Sequence, residues 1–308
     1  MRNTSGTQRR ASSRRLCFAL AATVALGGVA TQAIAIDFEL ADQNSSLWVQ
    51  VGNGTDGAKA GSYSVPGMFN WTVDGQDQMY QQWFWYRFGD SGPEQPLETL
   101  GYLGGQATDT NGSLWNPKSD LSPDTLVMAF GDPNGLLVEV SYVLRGAPAG
   151  QVLTADIGEL ITVYNFGTSA VEMSLFQYTD LDLFEDPEGD YVTIADGDAR
   201  QWDADGLAAS ETVITPGPTH YEVALYDDIL ARLQDGDADD LADVGAILGP
   251  GDATWAFQWD FSISPDHSFQ ISKDKQITHL PEPVTMIGVA MGISGLAGYI
   301  RRRMMAGP

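Results

Sequence analysis

Leu136-Leu137-Val138-Glu139-Val140-Ser141-Tyr142-Val143-Leu144 is the stretch whose reading decides the fold. Apolar and polar side chains alternate along it, with the period of two that a half-buried strand requires. Residues 159–164, 171–178, 254–261 and 268–272 read the same way. In the run 254–261, Phe257, Trp259 and Phe261 share one face while Gln258 and Asp260 share the other. Between such runs Gly, Pro, Asn and Asp recur every few residues, which keeps the strands short. Asn165-Phe166-Gly167-Thr168, set between two runs, predicts a hairpin loop. One helical stretch is expected at about 226–234, with Ile229, Leu230 and Leu233 on one side and Gly236 placed to end it. A second short turn is expected near Leu241. Many short strands with a single helix predict a mainly β body, one jelly-roll-like β-sandwich over 36–280. Two smaller sandwiches meeting near residues 146–150 are the alternative.

The chain has 308 residues, 16 basic and 41 acidic, a formal net charge of −25. The imbalance is steeper in the middle, because five arginines lie within residues 1–15 and three at 301–303. Residues 36–280 keep eight basic against 40 acidic side chains, a charge of −32. That excludes nucleic acid as a partner, since phosphates need a basic surface, and excludes direct docking on anionic lipid. Such a surface is self-repelling and attracts divalent cations. The single cysteine, Cys17, falls in the leader, so the body is stabilised by burial and not by disulfides.

The two ends carry addresses. Arg2, Arg9, Arg10, Arg14 and Arg15 precede an apolar stretch from Leu16 to about Ile34. Ala33-Ile34-Ala35 then offers the small-x-small pattern that signal peptidase cuts, so 1–35 reads as a secretory signal peptide. Ser13-Arg14-Arg15 admits a twin-arginine route, which Leu16-Cys17-Phe18 fits less well than the ordinary one. At the other end, Pro281-Glu282-Pro283 interrupts any strand or helix. An uncharged apolar run, 284–300, follows, and Arg301-Arg302-Arg303 closes it. As a helix the run rises about 26 Å, close to a bilayer core, and the arginines hold its far end in the cytoplasm. This order of tripeptide, spanning helix and arginine cluster resembles the PEP-CTERM sorting signal of Gram-negative bacteria. The resemblance is confined to 281–308. It implies processing by an exosortase, a membrane protease, and a cell-surface or biofilm setting beside exopolysaccharide.

Three constellations in the body could carry function. The first is acidic: Asp180, Asp182, Asp203, Asp205, Asp235, Asp237 and Asp239 are candidate calcium ligands, because hard cations take six to eight oxygens and aspartate-rich loops supply them. None fits an EF-hand, since Asp240 and Ala246 stand where glycine and glutamate belong. Solvated turns are the competing reading, aspartate being a good turn residue. The second is the aromatic run 80–88. There Gln81, Trp83, Trp85 and Arg87 share one face and could stack on and hydrogen-bond a sugar, though the preferred reading puts one face in the core and the other under a loop or helix. The third is catalysis. His220, His267 and His279 are scattered without a zinc motif, and there is neither a nucleophile elbow nor a phosphate loop. Forty acids make some facing carboxylate pair inevitable, so a glycoside hydrolase ranks last. The expectation is an exported surface or matrix protein with a structural or binding role and no catalysis; a carbohydrate-binding module is the runner-up.

Overall fold

The computed structural model describes residues 36–51, 66–110, 121–148, 154–204 and 206–279. The signal and sorting segments lie outside the described residues. Among those described, no helix is long and apolar enough to cross a membrane.

In chain order the strands are β1 (Ile36–Asp42), β2 (Ser45–Val51), β3 (Gly67–Val73), β4 (Gln76–Asp77), β5 (Gln81–Phe88), β6 (Gln95–Pro96), β7 (Tyr102–Thr108), β8 (Thr125–Gly131) and β9 (Leu136–Gly146). They continue with β10 (Ala155–Asn165), β11 (Val171–Asp180), β12 (Asp190–Ala195), β13 (Asp198–Trp202), β14 (Leu207–Thr215), β15 (His220–Leu225), β16 (Leu248–Gly251), β17 (Ala253–Ile263) and β18 (His267–His279). They form two antiparallel sheets of nine strands. One runs β1-β2-β3-β5-β11-β17-β15, with β4 on β3 and β6 on β5; the other runs β16-β12-β13-β14-β18-β10-β9-β8-β7. The mainly β expectation holds. The strands flanking residues 146–150, β9 and β10, are neighbours in one sheet.

The opening stretch lies inside β9, where Val138, Val140, Tyr142 and Leu144 are buried and the alternate residues are half-exposed. That alternation is the mark of a sheet with one wet face. The first sheet differs. In β5 every residue but Phe88 is buried, and in β17 every residue from Ala253 to Trp259 is buried, on both faces. Its inner side meets the second sheet, as Gln82 reaching Glu159 and Gln177 reaching Glu211 show. Its outer side lies under the segment that follows β15. There α1 (Asp228–Arg232) buries Ile229 and Leu230, and beyond it Asp240 takes a hydrogen bond from Arg87 at 2.6 Å and one from Gln258 at 2.8 Å. The helix lies where expected, but Leu241 sits in irregular chain: its N–H donates to the Gln258 side chain at 2.9 Å instead of to a turn.

One loop expectation is corrected. Residues 166–170 join no hairpin, because β10 belongs to the second sheet and β11 to the first. The loop crosses between sheets, and Asn165 fixes the crossing. Its amide nitrogen donates to the carbonyls of Ser169 and Ile263, each at 2.8 Å, and its amide oxygen accepts from Gly167 N–H at 3.0 Å.

Candidate functional site

Two polar centres stand out, and only one can meet a ligand. The enclosed one lies between the sheets. The Lys273 ammonium sits 2.6 Å from Glu159 and 3.0 Å from Glu211, and the Lys275 ammonium sits 3.1 Å from each. Register explains the meeting, since Lys273 pairs with Glu159 across β18 and β10, and Lys275 with Glu211 across β18 and β14. Gln82, Gln177 and the Trp255 indole N–H complete the carboxylates' hydrogen bonds. Burial pushes the Glu211 carboxyl up, but the two ammonium groups outweigh it and hold it at about 2. All four side chains are no more than 1 % exposed, so this quartet fixes the register of β10, β18 and β14 within the second sheet, reaches the first through Gln82, Gln177 and Trp255, and is closed to a substrate.

The accessible centre lies where β11 ends and β17 begins. Asp180 pairs with Thr254. Continuing that register sets Asp182 opposite Asp252, with Asp180 two residues back on the same face. One carboxylate oxygen of each of Asp180, Asp182 and Asp252 lies within 4.8 Å of the others. Asp180 is fully buried and the other two are half-buried. The Tyr178 hydroxyl donates to Asp180 Oδ2 at 3.0 Å, while Asp180 Oδ1 is buried without a hydrogen-bond partner. Burial, then the Asp182 and Asp252 charges, push the Asp180 carboxyl well up. Burial and the same kind of crowding raise Asp182 to about 6. Just behind them Asp190, at the start of β12, accepts from Leu183 N–H at 3.2 Å and from Gln201, and burial lifts it to about 8. Three carboxylates this close cannot all ionise unless a cation offsets the repulsion; without one, some hold protons.

Of the predicted calcium ligands, the structure therefore brings together Asp180 and Asp182, and adds Asp252. Asp203 Oδ1 accepts from Leu207 N–H at 3.1 Å as a turn residue, and Asp235 Oδ1 does the same for Asp237 N–H at 2.8 Å. Asp239 holds the covering segment through its backbone, its N–H on Glu94 and its carbonyl on Arg87. Asp205 lies outside the described residues. No other group of three or more possible metal ligands is found among the described residues. Asp252 had no local signal, since it stands alone between glycine and alanine; only strand pairing delivers it.

The sugar-stacking face is not there. Trp83 and Trp85 are 0 % exposed, Gln81 2 % and Arg87 6 %. Trp83 packs on Phe130 and donates its indole N–H to Glu98; Trp85 packs on Tyr178. The Arg87 guanidinium lies over the Phe176 ring and bonds Glu94 and Asp240. The sheet's outer face is covered, so this run is core.

No family model and no curated protein matches this chain. Solved structures do. A bacterial glucoamylase complexed with acarbose aligns over 84 % of this chain at 10 % identity and a TM-score of 0.46; the chain spans 34 % of that protein. A putative aldose 1-epimerase from Escherichia coli K12 aligns over 80 % of this chain and 100 % of its own, at 10 % identity and a TM-score of 0.44. A GalM/aldose epimerase homologue from C. elegans covers the same shares at 10 % identity and 0.41. The expectation of a structural, non-catalytic protein is corrected on this finding, because the proteins this chain resembles are carbohydrate-processing enzymes and their homologues. At these identities and scores, no activity, substrate or catalytic residue passes from them to this chain.

Proposed function

We propose that residues 36–280 form a β-sandwich that binds a hard divalent cation, calcium above all, at Asp180, Asp182 and Asp252. The observation that carries the reading is the buried, unpartnered Asp180 Oδ1 beside two further carboxylates within 4.8 Å. A buried carboxylate oxygen without a partner is costly, and a cation satisfies this one while cancelling the repulsion. Oxygen-only donors favour calcium over zinc or copper. Calorimetric titration of the purified full chain with calcium tests it. One-site binding, lost in Asp182→Asn and in Asp252→Asn, is the expected result; heats indistinguishable from buffer would overturn it.

The protein is exported in this account, its signal peptide cut after Ala35 and its tail handled by an exosortase-like protease. What supports this is the residue order at 281–308 and the basic leader at 1–15. Residues 281–308 fused to an exported reporter should be shortened in a bacterium that carries exosortase. A reporter that stays full-length in the inner membrane would count against sorting by this tail.

A further inference from the structure

Beside the carboxylate centre the structure places an aromatic pair that the core does not use. Tyr80 and Tyr226 meet edge to face, ring centroids 5.8 Å apart and planes at 82°. Each is tied by its backbone to a carboxylate residue: Tyr80 N–H donates to the Asp180 carbonyl at 3.1 Å, and Tyr226 N–H to the Asp252 carbonyl at 2.7 Å. Tyr226 keeps 40 % of its surface exposed, and its neighbour Leu225 keeps 46 %. An exposed apolar surface is therefore fixed at the rim of the three carboxylates.

Coordination leaves room for a ligand. One oxygen from each of three aspartates falls short of the six to eight that calcium takes, even when some bind through both oxygens. The remaining positions need further oxygens, from water or from a bound molecule. A molecule that serves both features must present adjacent oxygens to the ion and a C–H face to an aromatic ring. Neutral sugars do this with vicinal hydroxyls and ring C–H groups. An anionic ligand suits the place less well, since Asp77 and Asp186 add negative charge around it.

We propose that this centre is a calcium-dependent sugar site, in which two vicinal hydroxyls complete the ion's coordination and Tyr226 packs on the sugar's C–H face. The proposal rests on the cation-binding reading above.

The test titrates the purified full chain with the methyl glycosides of mannose, glucose and galactose, with calcium and with chelator. A permethylated methyl glucoside, which has no free hydroxyl pair, is the control. The expected result is binding of at least one free glycoside in calcium, none in chelator and none of the control. Tyr226→Ala should weaken that binding about tenfold while leaving calcium affinity unchanged, and Tyr80→Ala, which removes the ring supporting Tyr226, should weaken it in the same direction. Calcium binding without any glycoside binding would overturn this proposal and leave the cation site standing. Glycoside binding that survives chelation would overturn it too, by placing the sugar elsewhere. A chain that binds no calcium at all overturns both readings.

Discussion

Glu211→Ala should destabilise the protein by about 3–5 kcal/mol, because it leaves two buried ammonium groups facing one carboxylate. Lys273 and Lys275 both contact Glu211, and neither has a route to water. Gln177 and the Trp255 indole would lose an acceptor in the same stroke. Replacing the whole quartet with Leu or Met of similar volume should cost less, since no charge then remains to desolvate and what is lost is the acceptors of Gln82, Gln177 and Trp255. Urea unfolding midpoints of the two variants check this. A quartet replacement as damaging as Glu211→Ala would show that the ion pairs themselves, and not the avoidance of an unpaired charge, stabilise this part of the second sheet.

The second large effect is a dependence on pH that calcium opposes. Asp190 and Asp182 are raised in the folded protein to about 8 and about 6, the first by burial, the second by burial and then by neighbouring carboxylates. In the unfolded chain an aspartate titrates near 3.9. Between those values the folded state holds protons that the unfolded state has released. Stability from these groups is therefore complete below about pH 4 and is lost as pH rises toward 8, by at most about 1.4 kcal/mol per pH unit for each carboxyl. Chelated protein should be more stable at pH 5 than at pH 8, and Asp190→Asn should flatten that slope. Calcium needs ionised carboxylates, so its stabilising effect should grow over the same interval. Chemical denaturation at pH 5, 6, 7 and 8, with calcium and with chelator, measures both arms; parallel curves would contradict the account.

Period-two alternation made β9, β10 and β18 of the second sheet legible, and β11 and β17 of the first; β9 reads directly from Leu136 to Leu144 because its sheet has one wet face. The first sheet was harder to place, since burial on both faces of β5 removes the alternation and makes Trp83 and Trp85 look like a candidate binding surface. Phe130 and Glu98 cover Trp83, and the segment 227–244 covers the Arg87 end of that face; the Arg87–Asp240 contact spans 153 residues and leaves no local trace. The same holds for the crossing at Asn165, where loop chemistry fits a hairpin equally well and only the sheet assignment of β11 separates the two. The ionic quartet did leave a sign: Lys273 and Lys275 stand in phase with Ile271 and Ile277, on the apolar side of β18. Two of the three residues of the proposed cation site, Asp180 and Asp182, were readable at spacing two. Asp252 was not, because its position depends on the register between β11 and β17.

The central claim, that the folded chain holds a divalent cation at Asp180, Asp182 and Asp252, is tested most directly by thermal unfolding at pH 8 in three solutions: chelator, calcium, and sodium chloride matched to the calcium solution in ionic strength. Matching removes general screening of the acidic surface. A cation bound only by the folded state at a hundred times its dissociation constant adds about 2.7 kcal/mol, or roughly 5–10 °C for a chain of this size. The account predicts such a rise in calcium over sodium, absent from Asp182→Asn. Equal midpoints in calcium and sodium would contradict it.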